Sequence, residues 1–136
     1  MSCCNYILYK IYYGNELVYI GRTKQPLKDR LRAHFFHTNK IVKQIDFLRV
    51  TKVEYSVLNT EADMFLYEIY LINYFHPILN VDDNAKDNFS DFIQLPELSF
   101  YEYKDDIFDK WKNKYIENLI DTSPLGNPFE DDFYFE

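Results

Sequence analysis

The sequence predicts an α/β (α+β) fold: a small sandwich in which a central three-stranded, mainly antiparallel sheet is flanked by helices. Three observations carry that expectation. Two β-branched and aromatic runs, residues 5–13 and 17–20, flank Gly14-Asn15-Glu16 and read as a β-hairpin. Leu27, Leu31 and Phe35 recur at i, i+4 and i+8, the spacing of an amphipathic helix. A third run, "KVEYSVLNT", is again β-branched and aromatic and precedes an apolar segment that stops before Pro77.

The elements follow in order. After the hairpin, "QPLKDRLRAHFFH" has Pro26 near its start, where a missing N–H costs nothing, and Arg30 and His34 fall four apart beside the apolar stripe. Ile41, Ile45 and Leu48 predict a short second helix over 39–48. Thr60 can cap the next helix, which runs to about Phe75. Past Asn80, "NVDDNAKDNFSD" is polar and acidic and reads as a linker or surface loop. Ser99 with Glu102 is a capping-box pair, and Ile107, Phe108, Trp111, Tyr115 and Leu119 mark one helix over about 99–121. "SPLGNP" ends it, and "FEDDFYFE" alternates acids with aromatics, as a disordered or binding tail would. The expected organisation is therefore a core domain over 1–82 and an acidic extension over 83–136.

At 136 residues the chain can bury one true core, and its apolar and charged shares of 47% and 27% are those of a globular protein. The 19% aromatic share reads as a compositional bias rather than a site. No run of about 18 apolar residues and no signal-peptide pattern is present, so the expectation is an intracellular, cytoplasmic protein with no membrane partner. Cys3 and Cys4 are adjacent, a poor geometry for a disulfide or a zinc site, and read as reduced and non-catalytic. The net charge of −7 is unevenly spread. Residues 1–81 carry ten Lys and Arg against seven Asp and Glu; residues 82–136 carry five against fifteen. Between 22 and 52, Arg22, Lys24, Lys28, Arg30, Arg32, Lys40, Lys43, Arg49 and Lys52 face only Asp29 and Asp46. A basic face suited to phosphates is masked in the total by an acidic tail.

One carboxylate does not suit its helix. Met64, Phe65, Leu71 and Ile72 flank Glu68 at i−4, i−3, i+3 and i+4, and all four are apolar. A carboxylate so placed loses hydration unless a guanidinium or a metal answers it. The plain reading is a rim glutamate reaching water or pairing with Arg30. The sharper one is a ligand to a hard divalent ion, which takes oxygen donors and often only one or two carboxylates.

Together these pieces resemble the GIY-YIG nuclease family. Tyr19-Ile20-Gly21 stands intact as the second half of its motif, and Ile7-Leu8-Tyr9 is similar to the first half, with Ile7 in place of the usual glycine. "LKDRLRAH" resembles the family's helix with its active-site arginine at Arg30 and a histidine at His34. The spacing from Tyr19 to Arg30 is about one residue long, absorbed at Pro26, with Arg32 as the reserve arginine. Glu68 matches the metal-binding glutamate, and "PILN" puts Asn80 at the common asparagine. The resemblance covers roughly residues 5–82.

It implies an endonuclease, a hydrolase that cleaves DNA phosphodiester bonds with one Mg2+ or Mn2+ held by Glu68; RNA remains open as substrate. Arg30 would neutralise transition-state charge. Tyr9 would deprotonate the attacking water, with Tyr19 positioning it; His34 is the alternative base or a phosphate-side donor. A phenol of pKa about 10 must fall to about 8 for that work, roughly 2.7 kcal/mol of phenolate stabilisation, for which Lys10 or Lys24 is the candidate cation. Lys10, Arg22, Lys24, Arg32 and Asn80 are the candidate substrate-binding residues, Asn80 reading more as a structural tie. Homing, restriction, repair and mobile-element or phage-encoded roles all use this fold. The alternative is a nuclease-like module that binds nucleic acid or a host nucleic-acid-binding protein without cleaving, its acidic tail acting as DNA mimic, autoinhibitor or protein-binding segment.

The hairpin supplies a geometric test. A plain two-residue Gly14-Asn15 turn pairs Tyr9 with Ile20 and puts Tyr9 and Tyr19 on opposite faces. Both phenols share a face only with a three-residue loop or a bulge before Tyr19.

Overall fold

A computed structural model describes residues 5–36, 43–80 and 89–121, with side chains as far as Lys114. The expectations for Cys3 and Cys4, for most of the 81–91 linker, for Lys40, for the side chains of Tyr115 and Leu119, and for the tail from 122 lie outside these residues. The elements are β1 (Tyr6–Tyr13), β2 (Glu16–Thr23), α1 (Leu27–Phe36), β3 (Val50–Leu58), α2 (Glu61–Phe75), β4 (Tyr101–Glu102) and α3 (Ile107–Asp121). Single 3-10 turns lie at Phe47–Arg49 and Ile78–Asn80. The sheet is antiparallel in the order β2-β1-β3-β4.

The hairpin turns on Gly14 and Asn15, with Gly14 at φ +60°, a conformation open to glycine without strain. Tyr13 pairs with Glu16 and Tyr12 with Leu17, but Ile11 then pairs with Tyr19 and Tyr9 with Gly21. Val18 is thus an extra residue on β2, a bulge before Tyr19, and it moves both phenols onto one face. Val18 is buried, so the bulge is packed in place.

The two faces of the sheet differ. Tyr6, Leu8 and Lys10 share the face that meets α2, where Leu8, Leu58 and Met64 form a cluster joined by Tyr67, Leu71, Leu98 and Phe100. Ile7, Tyr9 and Ile11 occupy the other face and are also buried. Thr60 caps α2 as expected: it sits in extended backbone and its hydroxyl accepts from Asp63 N–H at 3.0 Å. The helix closes at His76 in the left-handed region, whose N–H donates to Ile72 C=O.

Three sequence expectations need correction. The sheet has four strands, because Tyr101–Glu102 adds to β3 opposite Tyr55 and Glu54. The same pairing displaces the helix expected from residue 99. Tyr101 and Tyr103 pack on Tyr55 with ring centroids 6.2 Å away, Tyr103 N–H donates to Val53 C=O, and α3 starts only at Ile107, where the Asp105 carboxylate accepts the Ile107 N–H. Tertiary pairing outweighs a local capping pattern. No helix runs through 43–46 either; of the stretch expected over 39–48, the described part holds only the 3-10 turn from Phe47.

Compactness groups the chain otherwise than by a division after residue 82. One unit comprises Met1–Arg30 with Arg49–Tyr103, the other Leu31–Leu48 with Lys104–Glu136. In the first, Leu98 and Phe100 belong to the Leu8 cluster and Tyr67 Oη donates to Pro96 C=O at 2.7 Å. In the second, Phe35, Phe36 and Phe47 pack with Phe108 and Trp111; the Phe36 and Trp111 rings lie 5.3 Å apart, nearly edge to face. Ring pairs of this kind add roughly 0.5–1.5 kcal/mol beyond area burial.

Candidate active site

The bulged hairpin sets Tyr9 and Tyr19 two positions apart on one face, their ring centroids 6.2 Å apart. Gly21, directly opposite Tyr9, is what lets them close. A Cβ there would stand 2.6 Å from Tyr9 Cζ and Oη and 2.8 Å from Tyr19 Cε2, well inside contact distance. The glycine of the Tyr19-Ile20-Gly21 motif is therefore a seat for two rings.

Tyr9 has no exposed surface, whereas Tyr19 is half-buried. Burial pushes the Tyr9 phenol far above its ordinary 10, and the neighbouring Tyr19 adds to the rise. Arg30, which donates a hydrogen bond to the Tyr9 hydroxyl, pulls the other way, and the Glu68 charge adds a smaller rise. This corrects the expectation of a lowered phenol: neither Lys10 nor Lys24 is among the groups acting on it.

Arg30 comes from the first turns of α1, started by Pro26, whose C=O accepts the Asp29 and Arg30 N–H groups. Thr23 Oγ1 accepts from Gln25 N–H at 3.0 Å, so the residues between strand and helix form a tight turn that takes up the extra spacing. The Arg30 Nε is buried without a hydrogen-bond partner, although the same side chain meets Tyr9. A buried donor left unmade costs about 1–3 kcal/mol, and an anion's oxygen is what such a donor suits.

Glu68 lies on α2 with its side chain 12% exposed. Arg22 Nη1 donates to Glu68 Oε1, and the Arg22 guanidinium lies 4.5 Å from the Phe65 ring. Strand alternation accounts for the pair, since Arg22 lies opposite Leu8 on the face that meets α2. Among the described residues no group of three or more His, Cys, Asp or Glu side chains could hold a metal. A single carboxylate still suits Mg2+, which keeps several waters and is commonly bound through one or two carboxylates plus substrate phosphate. Glu68 fits that description and a zinc-type cage does not.

The remaining candidates are placed as follows. Asn80 is buried and clamps β2: its Oδ1 accepts from Ile20 N–H and its Nδ2 donates to Ile20 C=O, both at 2.9 Å. Both ends of the amide are thus engaged with the backbone of Ile20. His34 is buried in the second unit, its Nδ1 lies 2.5 Å from Lys43 C=O, and its own C=O accepts from Ile45 N–H. It ties the 43–45 stretch to α1 through one ring nitrogen and its backbone carbonyl. Arg32 falls in that same unit. Lys24 pairs with Glu61 at 2.9 Å. Lys10 points to the α2 face, 4.0 Å from the Phe100 ring centre and 5.2 Å from that of Phe75, lining a cavity of about 260 Å3 with Tyr67 and Tyr70. Desolvation there lowers its pKa. The expected basic face is thus partly neutralised from within, since Lys52 also pairs with Glu54. The bulge at Val18 had no sequence signal beyond the requirement that both phenols share a face.

Paired tyrosines over a glycine, with an arginine against one of them, lie on one face of the sheet, and Glu68 on α2 is near enough for its charge to act on Tyr9. Residues 7–81, more than half of the chain, match the family model of the UvrC-like GIY-YIG domain, and the chain belongs to that nuclease family. The chain is 39% identical over 71 residues to UvrABC system protein C of Caulobacter vibrioides and 35% identical over 70 residues to that of Limosilactobacillus reuteri. Each match covers 50% of this chain but only 11% of the relative's length. A solved structure, the GIY-YIG N-terminal endonuclease domain of UvrC from Thermotoga maritima bound to magnesium, is similar at 25% identity and a TM-score of 0.45, covering 57% of this chain and 84% of that one. No described helix is long and apolar enough to cross a membrane.

Proposed function

We propose that the chain is an endonuclease that hydrolyses DNA phosphodiester bonds with one Mg2+ or Mn2+ ion per site. The observation that carries this reading is Arg30, a guanidinium anchored on a buried phenol with its Nε donor buried and unmatched. Glu68 would hold the ion, which when bound polarises the phosphate and stabilises the leaving oxygen. Arg30 answers the charge that builds on the phosphate oxygens, in a place where few waters compete. Tyr19, half-buried, presents its hydroxyl to the attacking water. Tyr9, fully buried and raised in pKa, acts behind it as the positioning residue that fixes Arg30 and Tyr19. Asn80 holds Ile20, the residue between Tyr19 and Gly21. The relatives named above are bacterial, and a phage source draws no support from them.

A plasmid-nicking assay tests the reading, with Mg2+ or Mn2+ and with an RNA duplex as the comparison substrate. Wild type should cleave DNA only with the ion, Glu68→Ala and Arg30→Ala should lose at least about a hundredfold, in the range of removing one transition-state donor, and Tyr19→Phe should lose more than Tyr9→Phe. An inert wild type, or an unaffected Glu68→Ala, sinks the proposal.

A further inference from the structure

The ion pair between Arg22 and Glu68 joins unequal partners. The Glu68 side chain is 12% exposed and hemmed by the buried Met64 and Ile72 on its own helix, so its carboxylate has little freedom to leave. The Arg22 side chain is 45% exposed, on an edge strand, and its guanidinium rests on Phe65 one turn before Glu68. Moving it into water costs little more desolvation or packing, whereas the carboxylate is the more buried partner.

We propose that Arg22 is an exchangeable counter-ion for Glu68, holding the carboxylate when no divalent ion is bound and releasing it when a substrate phosphate takes the guanidinium. The inference rests on the nuclease reading above and extends it to the order of assembly. A divalent ion at Glu68 and a guanidinium on the same carboxylate repel each other, so one must yield. A planar guanidinium is also the side chain best suited to a phosphate's paired oxygens. DNA and the ion then bind with positive coupling, because each removes the same competitor from Glu68, and the coupling is reciprocal by necessity. With neither present, the pair protects the folded chain from an uncompensated half-buried charge.

The test is calorimetric titration of Mn2+ into the full chain, with and without a phosphorothioate DNA duplex that resists cleavage. Without DNA, Arg22→Gln should bind Mn2+ about two- to fivefold more tightly than wild type, the upper part of the range for a partly exposed ion pair removed as competitor, and Arg22→Lys should stay near wild type. DNA should tighten Mn2+ binding to wild type and do so much less for Arg22→Gln. Metal-free Arg22→Gln should melt below wild type, and Arg22→Gln combined with Glu68→Gln should melt no lower than the single variants summed. Equal or weaker Mn2+ binding by Arg22→Gln, with wild-type binding still lost in Glu68→Gln, overturns the exchange while leaving the nuclease reading intact. Mn2+ binding that Glu68→Gln does not change overturns both.

Discussion

Asn80→Ala isolates what a single side chain does for the tyrosine-bearing strand. Ile20 is fully buried and pairs with Lys10, so alternation along the ladder turns its N–H and C=O toward the open edge of β2. Asn80 satisfies both at 2.9 Å, as a neighbouring strand would. Alanine leaves two buried backbone groups without partners at about 1–3 kcal/mol each, so the expected loss is about 2–6 kcal/mol. That is a large part of an ordinary domain's stability of about 5–15 kcal/mol. Asn80→Asp separates the two bonds. Its carboxylate keeps the acceptor for Ile20 N–H but sets a negative oxygen against Ile20 C=O, so it should be as damaging as alanine at pH 7. It should recover part of the loss below about pH 4, where the protonated acid can donate. Urea denaturation of the three proteins at pH 7 and pH 3.5, at matched m-values, reads the effect. A loss under about 0.5 kcal/mol for Asn80→Ala, or an Asp variant equal to wild type at pH 7, would show that the clamp carries no weight.

Three further expectations follow from the same geometry. Gly21→Ala should destabilise by about 1–3 kcal/mol, because the buried Tyr9 ring cannot retreat from a methyl 2.6 Å away, and should cut cleavage even where the protein remains folded; thermal melts and nicking rates measure both. Alkaline stability should fall above about pH 10: unfolded phenols ionise there, while Tyr9 and Tyr12 are held neutral, Tyr9 mainly by burial and Tyr12 by burial and its bond to Glu54. That stability is fully present below pH 10, and Tyr9→Phe should flatten the alkaline limb of a denaturation series; the lowered pKa of Lys10 works in the opposite sense near pH 10 and leaves the Tyr9→Phe difference as the readout. Truncation after Val81 should destabilise the first unit by removing Leu98, Phe100 and β4, and an unchanged melting temperature would show that these residues merely rest on the core.

Local signals were legible where they act over a few residues. Thr60 as a cap and Pro26 as a helix start sit where short-range sterics and hydrogen bonding put them. The Leu27, Leu31, Phe35 stripe and the Glu68 anomaly were readable for the same reason, since a helix places neighbours at fixed offsets. Failures share the opposite cause. Ser99 and Glu102 form a good capping pattern, yet Tyr55 offers Tyr101 and Tyr103 ring contacts and a strand edge, and these lie almost fifty residues away in sequence. The family resemblance put His34 among the candidates, and the approach of Lys43 C=O to its Nδ1 is a contact that only the tertiary structure shows.

The sequence by itself determined the local elements and the GIY-YIG resemblance: the hairpin, the arginine helix and the helix with Glu68 among apolar neighbours follow from periodicities of two and about 3.6, and the resemblance from the motifs and their order. Only the tertiary structure decided which groups meet. The bulge at Val18 brings the phenols together, Arg22 pairs with Glu68, and Tyr9 is buried behind Tyr19. Those outcomes depend on strand register and on distances between residues remote in the chain. A one-residue shift in pairing reverses the face of a side chain, and no local pattern records which register the packed core selects.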